Sequence, residues 1–371
     1  MTDPRYPIRE PDRLLSPSLV IFRDAVRRNL DAMVAMAGSP ARLRPHVKTH
    51  KMPAIVRMAE SMGIRKHKCA TIAEAEMVAA SGGSDVLIAY PIVGPNLGRL
   101  ARLIPAYPAT KFRATVDEPG AAHDLSEALG GLDRPLPVLV DLNIGMNRTG
   151  IDPGDAAASL YALVARLPNL EPDGLHAYDG QIRDASPDDR RRSAAPGSEA
   201  VHRLRDRLIG SGLPVPRLVL GGTPTFPVHA GDRTPGVELS PGTCVLHDAG
   251  YVGKFPDLPF EPAALLLTRV VSRPGAGRIC LDLGHKAVAA DPAGPRLTLL
   301  GVPGSTLGGQ SEEHLVVEVG PNSAYAPGAP LLAIPTHICP TCALHTWAYV
   351  LEGGELVDRW EVKARDRVLG I

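Results

Sequence analysis

VLVDLNIGMNRTG, residues 138–150, begins as an aliphatic run broken by one aspartate and ends in a loop of asparagines and glycines. A short apolar run of this kind predicts a strand buried on both faces. Residues 154–167 then carry alanines and leucines at helical spacing, and residues 174–178 read as a strand again. Strand, helix, strand in this order predicts two parallel strands joined by a right-handed crossover.

The same unit repeats outward in both directions. Strands are expected at 43–49 (LRPHVKT), 67–70, 86–89 (VLIA), 112–116, 138–142, 174–178, 218–220 (LVL) and 237–239. Helices are expected at 24–36, 52–62, 72–81, 94–104, 120–129, 154–167 and 198–211. Eight such strands close a (β/α)8 barrel; an open doubly wound sheet is the competing topology. Beyond residue 239 the texture changes to strand-like runs at 264–272, 278–282, 297–300, 314–319, 331–334 and 347–351, separated by Gly/Pro turns. Strands without intervening helices predict a mainly antiparallel β domain. The expected division is therefore a barrel over 18–240 and a β domain over 241–371, with residues 1–17 packed on the latter. The Arg/Asp-rich residues 183–193 read as a solvated loop or helix face.

Composition narrows the function by exclusion. The 371 residues hold 40 Lys+Arg and 40 Asp+Glu, a formal net charge of zero, so neither nucleic acid nor an anionic membrane is an expected partner. Aromatic residues are only 4%, too few to build stacking platforms for bases. Five cysteines, an odd number scattered along the chain, suit a reducing compartment better than a disulfide scaffold. No apolar leader or membrane-length apolar run is present, so a cytoplasmic location is expected.

Several segments carry chemistry. In RPHVKTHK, residues 44–51, a strand would point His46, Lys48 and His50 to one side. A lysine aimed into a barrel is costly as an ammonium, and Schiff-base chemistry uses that cost because the attacking amine must be neutral. An exposed basic patch is the competing reading. GMNRTG, residues 145–150, sets Arg148 in a loop leaving a strand, suited to donating to a phenolate or carboxylate oxygen. GGTPT, residues 221–225, lets the amides of Gly221 and Gly222 approach a phosphate, with Thr223 adding a hydroxyl. It lacks the spacing of a P-loop or a dinucleotide fold, which points to a mononucleotide-sized phosphate. Gly242 and Thr243, in SPGT after the last barrel strand, could add donors. HICPTCALH, residues 337–345, admits three readings. His337, Cys339, Cys342 and His345 could close a structural zinc site; His337 and Cys339, side by side on an extended segment, could form an open one; or the thiols are simply buried.

Together RPHVKTHK, GMNRTG, HAYDG (176–180), GGTPT, SPGT and His337-x-Cys339 stand in an order that resembles the pyridoxal-phosphate enzymes of the alanine racemase fold. Within them the chain resembles the D-serine dehydratase and D-threonine aldolase family most, from about residue 18 to 365. The resemblance implies a barrel holding pyridoxal 5′-phosphate, a β domain carrying a divalent metal, and a homodimer with active sites near the subunit interface. It makes Lys48 the Schiff-base lysine and the base at Cα of a D-amino acid. Arg148 would donate to the cofactor's phenolic oxygen; Gly221, Gly222, Thr223, Gly242 and Thr243 would hold its phosphate; His176 and Tyr178 would line its ring; His337 and Cys339 would ligate the metal. One departure is Ser240, where alanine racemases place an arginine against the pyridine nitrogen.

Two reactions on D-serine or D-threonine compete within this family. One is β-elimination to a 2-oxo acid and ammonia, the other retro-aldol cleavage to glycine and an aldehyde. The aldolase branch resembles a His-x-Asp pattern suited to manganese or magnesium, whereas the thiolate of Cys339 favours zinc. On that ground the dehydratase is the expected activity and the aldolase the alternative. A non-catalytic pyridoxal-phosphate-binding protein is a third reading, against which the β domain counts.

Overall fold

The computed structural model describes residues 3–320 and 324–371. The chain forms two compact units, one of Met1–Ala32, Thr49–Met52 and Thr243–Arg365, the other of Met33–Lys48, Pro53–Gly242 and Asp366–Ile371. In the first unit β1 (Ser18–Phe22) pairs in parallel with residues 348–351 and antiparallel with 264–267. Every residue of β1 is buried. This segment, expected at the head of the barrel, thus lies in the β unit's sheet. The helix that follows it is α1 (Arg23–Ala37).

In the second unit the strands are β2 (Lys66–Cys69), β3 (Asp85–Ile88), β4 (Lys111–Val116), β5 (Leu136–Leu142), β6 (Leu170–Ala177), β7 (Leu218–Leu220) and β8 (Val237–Leu239). They pair in parallel in that order. Between them run α2 (Pro53–Ser61), α3 (Ile72–Ala80), α4 (Pro95–Ala106), α5 (Pro119–Ala128), α6 (Asp155–Val164), α7 (Pro187–Gly210) and α8 (Phe226–Ala230). The ring is closed by residues 43–46, expected as a full strand. Leu43 bridges Leu239 and His46 bridges Lys68, both in parallel. Arg44 N–H donates to Leu239 O at 2.8 Å, His46 N–H to Pro241 O at 2.9 Å and Lys68 N–H to Pro45 O at 2.9 Å. The eight-fold barrel therefore stands. Its first strand is cut short because Pro45 has no N–H to donate, and the chain turns into a 3-10 segment at Val47–Thr49. His46, Lys48 and His50 consequently do not share a strand face.

The barrel interior is layered along the strands with a period of two. Leu87, Leu139 and Val219, from the alternate strands β3, β5 and β7, form an apolar layer, the arrangement such barrels use to fill their centre. Two residues before Leu87 and Val219 stand Asp85, at the start of β3, and Arg217, just ahead of β7, in a charged layer completed by Arg44, Arg113, Asp173 and Glu238. Arg44, with no side-chain exposure, pairs with Glu238 at 2.6 Å and Asp85 at 2.7 Å. Arg113 pairs with Asp85 at 3.0 Å and Asp173 at 2.7 Å, and Arg217 also reaches Asp173. Two residues after Leu139 comes Asp141, at the strand ends where barrel active sites lie.

The remaining β unit holds α9 (Ala249–Lys254), β9 (Ala264–Ser272), β10 (Arg278–Leu281), β11 (Leu297–Leu299), β12 (Thr306–Gln310), β13 (Leu315–Glu318), β14 (Pro330–Pro335), α10 (Ile338–Leu344), β15 (Trp347–Glu352) and β16 (Glu355–Glu361). Apart from the parallel pair β1·β15 its pairings are antiparallel, as a mainly antiparallel domain requires. The segment 183–193 is mostly the start of α7, which opens at Ser186, whose hydroxyl accepts from Asp189 N. The helix begins earlier than the apolar period shows because its first turns are all charged.

Removing one partner from a buried ion pair typically costs about 3–5 kcal/mol, and Glu238 faces Arg44 and Lys66 together. Glu238→Ala should lower unfolding stability by roughly that amount in a denaturant titration. Burial alone would raise the Glu238 carboxyl, but Arg44 and Lys66 pull it from 4.5 down to about 2. Its contribution is therefore complete above pH 4.5 and lost as pH falls towards 2. Melting curves across that window should show the wild type losing stability that the variant never had.

Candidate active site

At the strand ends of the barrel unit one pocket is lined by His46, Lys48, Lys68, Asp141, Arg148, His176 and Tyr178 among others. Four of the residues expected at the cofactor, Lys48, Arg148, His176 and Tyr178, are thus brought together. Lys48 stands in the 3-10 turn, its N–H donating to His46 Nδ1 at 3.3 Å. Arg148 is presented by a loop that Asn143 organises, its Oδ1 accepting from Gly145 N at 3.2 Å and Asn147 N at 3.0 Å. Asn147 adopts φ 52°, a left-handed conformation asparagine tolerates. The Arg148 guanidinium lies 5.2 Å from the Tyr178 ring centroid and the Lys68 ammonium nitrogen 5.7 Å from it, distances at which a ring face attracts a cation.

A buried relay runs beneath these groups. Asp141 Oδ1 faces His176 Nδ1 at 2.6 Å, and His176 Nε2 faces Lys68 Nζ at 3.4 Å. Thr149 Oγ1 donates to Asp141 Oδ2 at 3.0 Å. Burial would raise the Asp141 carboxyl, yet His176 and Thr149 pull it below its ordinary value, so it is ionised. Burial lowers His176 against the pull of Asp141, leaving the imidazole neutral. Burial, then the charge of Lys48, bring Lys68 from 10.5 down to about 7. Neither Lys68 nor Asp141 was singled out from sequence. The available signal was the KHKC pattern of β2, a lysine on the inward face of a fully covered parallel strand, where an unpaired charge is expensive.

The glycine motifs form a second group in the same unit. Gly221 N–H donates to Ala177 O at 3.0 Å, Gly222 N–H to Thr225 Oγ1 at 3.2 Å and Gly242 N–H to Thr223 Oγ1 at 3.2 Å. Thr225, the last residue of GGTPT, donates its hydroxyl to Asp179 Oδ1 at 2.7 Å, and Asp179 Oδ2 faces His229 Nε2 at 2.7 Å. Gly221 has φ 75°, and a Cβ on Gly222 would stand 2.9 Å from the Tyr178 ring, so side chains are barred where the backbone approaches the ring. The donor set of one amine, one guanidinium, threonine hydroxyls and glycine amides beside an aromatic ring fits a planar cofactor bearing a phenolic oxygen and a phosphate. Ser240 donates its hydroxyl to Arg44 O at 3.0 Å and supplies no cation.

In the β unit, His337 and Cys339 do not lie on an extended segment. His337 is the N-cap of α10 and Cys339 sits in its first turn. The helix forms there because Asp248 accepts from Ile338 N at 3.1 Å and Thr341 Oγ1 donates to His337 O at 2.8 Å, with Pro340 tolerated in the first turn. Cys339 Sγ lies 3.3 Å from Thr49 Oγ1 and 3.7 Å from Thr243 Oγ1, so Thr243, expected at the phosphate, touches the thiol in this unit. His337 Nδ1 faces Asp291 Oδ2 at 2.5 Å, the carboxylate–histidine pairing that orients metal-binding imidazoles. An imidazole and a thiol so placed fit a divalent ion. Cys342 is fully buried, and His345 Nε2 donates to Ala287 O at 2.9 Å. Among the described residues no three His, Cys, Asp or Glu side chains converge on one point, so the four-ligand arrangement is not formed. No helix among them is long and apolar enough to cross a membrane.

The barrel, its strand-end lysine and the glycine cradle define a pyridoxal-phosphate enzyme of the alanine racemase fold. Residues 21–247 match the family model described as alanine racemase, N-terminal domain, and residues 263–351 the putative serine dehydratase domain. The chain belongs to the D-serine dehydratase and D-threonine aldolase family of these enzymes and is a pyridoxal-phosphate-dependent lyase acting on D-β-hydroxy amino acids. It is 32% identical to a D-threonine aldolase of Arthrobacter sp. over 95% of this chain and 93% of that protein. The crystal structure of the D-threonine aldolase of Filomicrobium marinum superposes with a TM-score of 0.89 at 33% identity, covering 97% of this chain and 98% of that one. A D-threo-3-hydroxyaspartate dehydratase of Delftia sp. is 25% identical over 93% of this chain and 96% of its own. The non-catalytic reading falls, because the similarity to enzymes spans both units.

The fully buried Cys342 thiol is pushed well above its ordinary range by burial, which keeps it a thiol at neutral pH. In the folded protein iodoacetamide at pH 7.5 should leave Cys342 unmodified by peptide mass spectrometry, whereas denaturation should expose it fully. Rapid alkylation of Cys342 before unfolding would contradict the packing of α10.

Proposed function

We propose that the chain is a D-threonine aldolase, cleaving a D-β-hydroxy amino acid to glycine and an aldehyde. The observation that carries this reading is the similarity over both units to D-threonine aldolases, at 32% and 33% identity, against 25% for the dehydratase. It replaces the dehydratase expected from the Cys339 thiolate. That thiolate bears on the ion instead, and we infer zinc in preference to manganese or magnesium.

In this reading Lys48 holds the cofactor covalently, and Arg148 donates to its phenolic oxygen. Gly221, Gly222, Thr223, Gly242 and Thr243 take its phosphate, Tyr178 and His176 bound its ring, and His337 with Cys339 holds the metal. Bound pyridoxal phosphate supplies an electron sink for the bond broken at Cα, and the metal supplies Lewis acidity to the β-oxygen. Ser240 offers no cation to strengthen that sink, which leaves more of the activation to the metal. Lys48 moves the Cα proton. Arg148 and Tyr178 orient, the guanidinium resting against the ring face. The proposed division of labour keeps the cofactor in the barrel expected over residues 18–240, less the Ser18–Phe22 strand that pairs in the β unit, and the metal motif in the β domain expected over 241–371. Five free cysteines support a reducing, cytoplasmic setting, and the family resemblance supports a homodimer.

Incubation of the purified protein with D-threonine should yield glycine and acetaldehyde in equal amounts, and a chelator should abolish the reaction. Accumulation of 2-oxobutanoate and ammonia would instead establish the dehydratase. Lys48→Ala should form no borohydride-reducible adduct with the cofactor. Bound metal should survive Cys342→Ser and disappear in His337→Ala and Cys339→Ala, read by elemental analysis without reference to turnover.

A further inference from the structure

Among the groups lining the barrel pocket, Lys68, Asp141 and His46 have acid–base chemistry that the reading above does not use, and of these Lys68 is the amine. Its side chain is buried, it lines the same pocket as Lys48, and its nitrogen lies 3.4 Å from His176 Nε2. The tautomer follows from the partner on the other side. Ionised Asp141 can only accept, so Nδ1 carries the ring proton and donates it in a hydrogen bond of 2.6 Å, and Nε2 of the neutral ring carries a lone pair. Lys68 must therefore donate to Nε2, and as a neutral amine it keeps its own lone pair for another proton. Packing does not call for a lysine here, since a methionine would fill a similar volume without desolvating an amine.

We propose that Lys68, oriented by the Asp141–His176 pair, is a second catalytic base of the lyase reaction, accepting the proton of the substrate's β-hydroxyl. This rests on the aldolase reading. The β O–H bond breaks and its proton becomes the third N–H of Lys68. The O–H electron pair becomes the second bond of the aldehyde carbonyl as Cα–Cβ breaks. The pair left at Cα takes a proton from Lys48 and becomes a C–H bond of glycine. Lys68 then returns its proton to water, from which Lys48 is resupplied, so no oxidant, reductant or further reactant enters. The charges facing Lys68 come from each neighbouring element. Lys48 and Arg44 from the closing segment repel a proton on it, Asp141 from β5 and Asp179 after β6 attract one, and β3 offers only Leu87 opposite it. The balance leaves Lys68 at about 7, where an amine can take a proton and return it near neutral pH.

The test uses the holoenzyme with Lys68→Met and Lys68→Arg, the first neutral and of similar length, the second a permanent cation unable to act as a base. Cofactor absorbance and affinity should stay within about twofold of wild type. Cleavage of D-threonine should fall by about 10²–10⁴ in kcat, with little change in KM, and the wild type's acidic limb near pH 7 should vanish from the residual activity. Exchange of the glycine Cα proton with deuterated solvent, which needs Lys48 but no β-hydroxyl base, should be retained. A separate measurement needs no variant: acetic anhydride labelling of the wild type across pH, read at the Lys68 peptide, should be half-maximal near pH 7. Half-labelling near pH 10, equal loss of exchange and cleavage, or an unchanged cleavage rate in Lys68→Met would each overturn the assignment. Glycine and acetaldehyde from the wild type beside any of these results leaves the aldolase reading intact. A 2-oxo acid from the wild type overturns both.

Discussion

The barrel depends on a short segment that must satisfy both of its open edges. Residues 43–46 reach β8 through Arg44 N–H and β2 through Pro45 O, and between these bonds the Arg44 side chain enters the interior to meet Glu238 and Asp85. A guanidinium with no exposure can exist there only because two carboxylates repay its desolvation with directed hydrogen bonds. The same four residues thereby fix where the following turn leaves the barrel. Lys48 is delivered to the strand ends because Arg44 is anchored below and the chain cannot continue as strand past Pro45.

Electrostatics are sorted by depth along the strands. The lower layer is self-contained, with Asp85 and Asp173 shared among Arg44, Arg113 and Arg217, and the apolar layer of Leu87, Leu139 and Val219 separates it from the groups above. Those upper groups are a carboxylate, an imidazole and two amines, and burial bears on the carboxylate, the imidazole and the Lys68 amine. With Asp141 ionised, His176 neutral and Lys68 poised near neutrality, the sequence of groups runs from fixed charge to exchangeable proton. Such an order is what moves a proton without leaving a stranded charge in the interior.

Most of the barrel was legible because its signals are local. β7 and β8 fall where LVL and the run at 237–239 place them, since short runs led by branched apolar residues mark strands covered on both faces. The failures share another cause: long-range partners decided them. Ser18–Phe22 falls within the bounds expected for the barrel, and only its pairing with β9 and β15 shows that it belongs to the other sheet. The His337 segment reads as extended until Asp248, far along the chain, caps Ile338. Lys48, Arg148, His176 and Tyr178 were visible because they sit in motifs at strand ends. Lys68 was hidden because a single lysine inside a four-residue strand carries no motif, and only the approach of His176 from β6 shows what it does.

The choice between elimination and aldol cleavage turns on chemistry that the Cys339 thiolate does not decide. In both reactions an electrophile on the β-oxygen helps, so the softness of the metal's ligands selects the ion and is silent on which bond breaks. What separates the reactions is the direction of proton flow at that oxygen. Elimination must add a proton to a departing hydroxide, whereas retro-aldol cleavage must remove one from the hydroxyl so that its electrons can form a carbonyl. Among the groups lining that pocket, an ionised carboxylate, a neutral imidazole and an amine lowered chiefly by burial are able to accept a proton. In the proposed aldolase reading, cleavage of the carbon–carbon bond would draw on such an acceptor, whichever ion the metal ligands select.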